Sequence, residues 1–410
     1  MEFYAREKYL EKIRPFYGAT DLIKVITGVR RCGKSTLLLC IAKELRQQGV
    51  DDDHIVFIDL DAREFRNITT PDALEKIIDE RTPKEGKVYL FIDEIQNVKK
   101  FEPLINGYRV ENRFSLFLTG SNSYLLSGEL VTKLTGRYIE FEMFPLTYDE
   151  YEDMKDFYGI KKESDTVLEF NHYLQEGGFP RLLFLESDSE KKTYIRSLIQ
   201  EIFEKDVHRR VKIRSRETFD RVRDFVVGNF GATFSLSSLT EALNRAGIQT
   251  TRNTVRNYID VLTDAKILYP CPRFDIKSKR ALAGERKYYL VDFAFYFFLS
   301  PDANVNYGPF LENCIYFYAR SFDYNVSVGK IGNLECDFIV RNRSRDCAFL
   351  QVAYTILSSP KTEEREYRAL ESIRDASPKY ILTTDRLLKK RNGIRHVCLM
   401  DFMIKKSQFC

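Results

Sequence analysis

The chain has 410 residues, with 64 Lys and Arg against 60 Asp and Glu, a net charge of +4, and 44% hydrophobic residues. That apolar content excludes a disordered chain, and so small a positive excess means that any basic, nucleic-acid-facing surface has to be local. The length suits two to four domains of about 100–200 residues each.

The eight cysteines are scattered, with no C-x-x-C pair and no histidine at zinc spacing, which is the thiol usage of a reducing cytosol. The longest apolar run, Phe293 to Leu299, is far short of the roughly 20 residues that span a bilayer. The N-terminus lacks the apolar core of a signal peptide. The expectation is a cytoplasmic, soluble protein without a membrane partner.

Residues 1–20 read as a short charged helix with Tyr9, Ile13, Phe16 and Tyr17 on its apolar face. Ile23-Lys24-Val25-Ile26 reads as a buried strand and Leu37 to Ala42 as a helix. Between them lies Gly28-Val29-Arg30-Arg31-Cys32-Gly33-Lys34-Ser35-Thr36, which fits G-x-x-x-x-G-K-[ST] at every fixed position. A strand–loop–helix setting is what gives the pattern meaning. Backbone N–H groups turn inward around an anion, and the helix N-terminus adds partial positive charge. Lys34 then reaches the outer phosphates and the Ser35 hydroxyl ligates magnesium.

His54 to Leu60 reads as a second strand and Pro71 to Glu80 as a helix. Lys87 to Ile95 is an apolar strand running into Asp93 and Glu94. Asp93 is placed to hold Mg2+ alongside Ser35, and Glu94 to orient or deprotonate the attacking water. Phe114 to Thr119 is a fourth strand. Ligands in a doubly wound sheet lie beyond the carboxyl ends of strands. Asn122, with Ser121 second, is therefore a candidate sensor of the γ-phosphate, or else part of a polar turn. Arg137, before the strand Ile139 to Glu142, is either an arginine finger, in cis or from a neighbouring subunit, or a surface residue. The alternation of strands and helices from residue 20 to about 145 implies a mostly parallel α/β sheet. No N-K-x-D guanine-recognition sequence occurs, so the nucleotide expected is ATP.

The runs ITGVRRCGKSTLL, LFIDEIQ, LTGSNSYLL, LTGRYIEFEMFPLTYDEY and EGGFPRLL resemble a family of bacterial and archaeal AAA-type (P-loop, STAND-like) ATPases. The resemblance covers nearly the whole chain. It implies a P-loop NTPase core over 1–150, and a strand exit at Phe144-Pro145-Leu146 into a helical lid and basic connector over 151–225. It also implies a nucleotide-facing role for Gly178, Pro180 and Arg181. Gly178 permits close backbone approach, Pro180 fixes the turn, and Arg181 could report on the phosphates; a turn between lid helices is the plainer alternative.

Glu190 to Asp224 is helical in pattern and basic at Lys205, Arg209, Arg210, Lys212, Arg214 and Arg216. Residues 226–300 read as helix–turn–helix plus a β-ribbon with a basic tip at Lys277, Lys279 and Arg280, a winged-helix pattern. Either Arg252, Asn253, Arg256 and Asn257 enter a DNA groove, or the same helix docks on protein.

Residues 301–410 resemble a restriction-endonuclease-like (PD-(D/E)xK) domain. Glu312 on a helix, Asp337 on one strand and Gln351 on the next match its metal-binding carboxylate and amide positions. Where the motif carries lysine, this chain has Ala353. Without that cation a degenerate, binding-only fold is the expectation, and an ATP-gated nuclease or a non-hydrolysing ATP-binding scaffold are the alternatives. A protein partner or a homo-oligomer is compatible with all three.

Overall fold

The computed structural model describes residues 2–120, 136–208, 213, 215–299 and 306–410, and divides into two units, Met1–Phe144 and Pro145–Cys410.

In the first unit, β1 (Ile23–Gly28), β2 (Ile55–Asp59), β3 (Val88–Asp93), β4 (Phe114–Thr119) and β5 (Tyr138–Met143) form a sheet in the order β2-β3-β4-β1-β5. Every pairing is parallel. Parallel strands are covered on both faces, which is why they read as unbroken apolar runs; every residue of β1 and β4 is buried. Phe57, Phe91 and Phe117 stack across β2, β3 and β4 with centroids 5.9 and 4.6 Å apart. Leu90, Ile92, Leu116 and Leu118 join a core with Leu74 and Ile78 of α3 (Pro71–Arg81) and Ile105 of α4 (Glu102–Val110). The described residues of the unit also form α1 (Glu7–Ile13), which buries Tyr9, Leu10 and Ile13, and α2 (Lys34–Gln47), which follows the glycine-rich loop.

The second unit begins with α5 (Tyr148–Tyr158), opened by a Thr147–Glu150 capping box, and α6 (Thr166–Glu176), capped by Asp165. Next come α7 (Asp188–Ile202), continuing in a π-helical turn to His208, and α8 (Arg216–Gly228). Ser235 caps α9 (Leu236–Arg245) and Thr251 caps α10 (Arg252–Asp264). After β6 (Leu268–Asp275) and β7 (Arg280–Leu290) come α11 (Ala294–Leu299) and α12 (Tyr307–Ser321). An antiparallel meander, β8 (Asn325–Ile331), β9 (Leu334–Arg341) and β10 (Cys347–Val352), leads through α13 (Pro360–Glu371) to β11 (Lys379–Thr383), parallel to β10. The short β12 (Lys390–Arg391), β13 (Ile394–Cys398) and α14 (Leu399–Ile404) end the chain.

The boundary expected at residue 300 does not separate two domains. Strand β6 pairs with β7 on one side and, at Arg273 to Asp275, with β8 on the other. The β-ribbon and the C-terminal strands are therefore one mixed sheet, β12-β13-β11-β10-β9-β8-β6-β7. Pairing of this kind is invisible to local pattern, because it joins segments more than 50 residues apart. Likewise the first boundary falls at Phe144, where β5 has just ended, rather than at 150.

Candidate functional site

Strand β1 ends at Gly28, whose φ of 148° and whose neighbours exclude a side chain: a Cβ there would run into the Met143 carbonyl oxygen and the Cys32 sulfur. Arg31 (φ 66°) and Gly33 (φ 110°) carry the loop through left-handed conformations into the first turn of α2. Lys34 is 4% exposed, and its ammonium donates to the Gly28 and Val29 carbonyls at 3.1 and 3.3 Å. Val29 and Cys32 are buried; Arg31 and Ser35 are exposed, and Arg30, Gly33 and Thr36 are half-buried.

Thr119, from the end of β4, donates its hydroxyl to the Asp93 carboxylate, and the Ser35 hydroxyl is near enough to favour the charged form of Asp93. Burial raises the Asp93 pKa, and these two hydroxyls work against that rise. Strand order explains the grouping. Strand β4 lies between β1 and β3, so its last residue reaches the carboxylate that ends β3. Thr119 also accepts from the Glu94 N–H at 3.0 Å. Glu94 adopts φ 56°, and its side chain accepts from the Gln96 amide. Lys34, Ser35, Asp93 and Glu94, singled out from sequence, are thus brought to the same sheet edge. Sequence reasoning missed Thr119 and Gln96. The first was the last apolar-strand residue before the polar turn, and the second stood within the quoted LFIDEIQ run.

A second set of contacts fixes the loop from behind. Arg6, 5% exposed, donates to the carbonyls of Cys32 (3.0 Å) and Phe144 (2.7 Å). The Tyr9 hydroxyl accepts from the Phe144 N–H at 3.1 Å, and the Cys32 thiol lies 3.5 Å from the Met143 carbonyl. Helix α1 and the end of β5 therefore hold the loop's outer turn, a role no sequence motif marks.

Other expected residues lie elsewhere. Arg137 is level with the start of β1, since Ile23 pairs with Tyr138 and donates to the Arg137 carbonyl, whereas Gly28 pairs with Met143. Six residues at about 3.3 Å each, from Arg137 to Met143, put the Arg137 backbone roughly 20 Å from the loop, at the amino edge of the sheet rather than at its carboxyl end. Its guanidinium donates to Asn106 at 3.4 Å. Asn122 and Ser121 lie outside the described residues, as do Arg209, Arg210, Lys212 and Arg214 of the basic connector.

Gly177 and Gly178 have a packing reason to be glycine within the second unit. Gly178 donates its N–H to Asp292 at 2.7 Å, and a Cβ on it would strike the Leu146 carbonyl; a Cβ on Gly177 would strike the Asp292 carboxylate. The close approach that was expected toward a nucleotide is made to the chain itself. Pro180 opens a short 3-10 turn and Arg181 is exposed.

The three residues expected for a nuclease-like centre lie on α12, β9 and β10. Asp337 sits at a β-bulge, where the β8–β9 register shifts between Ser327 and Gly329, and it accepts from the Val352 N–H at 2.8 Å. Glu312 accepts from Lys287 of β7 (3.0 Å) and from the Tyr289 hydroxyl (2.8 Å). Lys287 also pairs with Glu335 at 3.0 Å, and Arg273 bonds Glu335 at 2.9 Å. Burial raises the pKa of both Glu312 and Asp337, opposed by Lys287. The Gln351 amide oxygen is buried without a hydrogen-bond partner. Sequence reasoning found no lysine in the motif, but the fold brings one in from another strand.

Residues 20–152 match the family described as an AAA domain, and residues 167–304 match a domain of unknown function, DUF8612. An uncharacterized protein of Haemophilus influenzae is 30% identical over 404 residues, covering 98% of each chain. An uncharacterized protein of Methanocaldococcus jannaschii is 28% identical over 359 residues, 85% of this chain and 78% of that one. Among solved structures, a Walker-type ATPase of Pyrococcus abyssi aligns with 73% of this chain and 96% of its own at 15% identity and a TM-score of 0.49. The chain belongs to the family of the Haemophilus protein, and its residues 20–152 are an AAA-type P-loop domain.

Proposed function

We propose that this protein is a magnesium-dependent ATP hydrolase that works as a switch, its nucleotide state read out by the C-terminal unit. The observation carrying this reading is the gathering of Lys34, Ser35, Asp93 and Glu94 at one sheet edge, where Thr119 bonds both the Asp93 carboxylate and the Glu94 N–H. A magnesium ion bound with ATP would neutralise charge on the β- and γ-phosphates. Ser35 and Asp93 fit it, being a hydroxyl and a carboxylate of the oxygen donor class that Mg2+ prefers. Lys34, which now donates to carbonyls of its own loop, exchanges them for phosphate oxygens. The Gly28–Thr36 backbone cradles the anion, and Glu94, oriented by Gln96 and by its own N–H on Thr119, takes the proton of the attacking water.

ATP hydrolysis dependent on Mg2+, lost in Lys34→Ala and in Glu94→Gln while Glu94→Gln still binds ATP, is the expected result. A wild type that binds ATP without turning it over would leave a non-hydrolysing scaffold. Arg137, at the amino edge of the sheet, would act as a finger from a neighbouring copy, so its test is turnover against protein concentration.

The C-terminal unit is proposed as a recognition module. Two features support that reading. Helices α8, α9 and α10 with the β6–β7 ribbon follow the winged-helix order, and helix, three-stranded meander, helix and parallel strand follow that of the nuclease-like fold. On α10, Arg252, Asn253, Arg256 and Asn257 are all exposed, a basic, amide-rich face suited to nucleic acid. DNA affinity that falls with salt and is lost in the Arg252→Glu, Arg256→Glu double variant supports nucleic acid as the partner. Affinity unchanged by that variant assigns the face to protein. Among the described residues no helix is long and apolar enough to cross a membrane.

A further inference from the structure

The acidic centre of the C-terminal unit gathers three carboxylates from two segments, Glu312 on α12 and Glu335 and Asp337 on β9, around a lysine that comes from a third. Lys287 projects from β7, two residues before Tyr289, and is 5% exposed. Its ammonium lies 3.0 Å from a Glu312 oxygen and 3.0 Å from a Glu335 oxygen. The Tyr289 hydroxyl completes Glu312, Arg273 completes Glu335 from β6, and the Val352 N–H completes one Asp337 oxygen. The bulge in β9 is what turns Asp337 toward this group.

We infer that Lys287 is the resident cation of this centre, standing where the nuclease-like fold would place a divalent metal, so that the unit is a metal-free module clamped to its own β-ribbon. Three features carry this. A buried ammonium held by two carboxylates occupies the space between them and already matches their charge, and releasing it would strand a charge in the interior. Mg2+ keeps near-ideal octahedral geometry and several waters, which a position already filled by a side chain does not offer. The lysine belongs to β7, so the contact that fills the centre also ties the ribbon to α12 and β9; a lysine inside the motif could not do that. The inference stands independently of ATP hydrolysis in the first unit.

The Gln351 amide oxygen, buried without a donor, is the atom through which a metal would declare itself, so the test is made on metal directly. The full chain, treated with EDTA and free of nucleotide, is titrated with Mn2+ by electron paramagnetic resonance, alongside Asp337→Asn. The inference requires the same Mn2+ binding in both proteins. Binding in the wild type that Asp337→Asn removes, or plasmid cleavage with that dependence, overturns it. Lys287→Met supplies the second arm. In EDTA its Tm falls by roughly 10 °C, because one partner of a buried pair is gone, and Mn2+ restores part of the loss by entering the vacated position. A Lys287→Met protein as stable as wild type in EDTA also overturns the inference. Should that variant not fold, the wild-type titration alone decides.

Discussion

Each unit of this protein buries a lysine at its candidate site, and the two lysines differ in what they hold. Lys34 donates to two backbone carbonyls of its own loop, neutral partners that a phosphate outcompetes. Lys287 pairs with two carboxylates, themselves bonded to Tyr289 and Arg273, and its pKa is raised by Glu312, Asp337 and Glu335 against the opposing effect of burial. A lysine on exchangeable partners is available to a ligand. One whose charge is already matched is part of the architecture. Residue type and burial are the same in both; the charge of the partner decides.

The largest effects expected follow from this contrast and cross over between the two sites. Lys34→Ala lowers ATP turnover by about 100-fold or more, since it removes charge stabilisation from the transition state, and leaves Tm nearly unchanged. Lys287→Met does the reverse, lowering Tm while ATP turnover measured well below its melting range stays at the wild-type level. Turnover assays and thermal unfolding on the same two proteins check both halves. A large Tm loss in Lys34→Ala would break the comparison.

Thr119→Val comes next. The hydroxyl donates to Asp93 and accepts from the Glu94 N–H, so its loss disturbs together the two carboxylates proposed for the metal and the attacking water. Turnover should fall by about tenfold, with a stability cost of about 1–3 kcal/mol for the buried N–H left without an acceptor. Thr119→Ser, which keeps the hydroxyl, should recover most of both. Equal losses in the two variants would mean that packing of the methyl group, not the hydroxyl, is what matters there.

Arg6 has a smaller share, through position alone. It touches neither phosphate nor water in this scheme, but it holds the Cys32 carbonyl of the loop and the Phe144 carbonyl at the end of the unit. Arg6→Ala should lower kcat roughly fivefold to tenfold by loosening the loop, with Arg6→Lys recovering part of it. An effect confined to KM would mean that Arg6 serves ground-state binding alone.

The parallel sheet and the phosphate loop were legible in the sequence because both are local. Buried strands appear as apolar runs, and Gly28, Gly33, Lys34 and Ser35 stand at fixed spacing on one segment. What was not legible depends on strand order. Thr119 reaches Asp93 only because β4 lies between β1 and β3, and Arg137 is removed from the site because a parallel β5 puts its first residue at the far edge. The missing lysine shows the same thing most plainly. Position 353 is Ala, yet the cation stands in the centre, delivered by a strand 66 residues earlier whose place in the sheet no window of sequence reveals. Gly178 was legible as a close approach but not as to what approaches it, because Asp292 lies 114 residues away.

Asp292 gives the smallest effect and a sign that can be checked. Its carboxylate accepts from the N–H groups of Gly178 (2.7 Å) and Ala294 (2.8 Å), both of which favour the charged form, but burial outweighs them and pushes its pKa up to about 7. The unfolded value lies near 3.8, so between the two the folded chain holds a proton that the unfolded chain has released. Stability from this group is full below about pH 4 and is lost as pH rises through about 7. Asn at this position is neutral throughout and accepts only one of the two hydrogen bonds. Asp292→Asn should therefore be less stable than wild type at pH 5 by about 1 kcal/mol, with the gap narrowing or reversing by pH 8. The measurement is Tm against pH for both proteins. Parallel curves would show that the carboxylate keeps its charge across this range, and that the two backbone donors, rather than burial, govern the junction between Gly178 and β7.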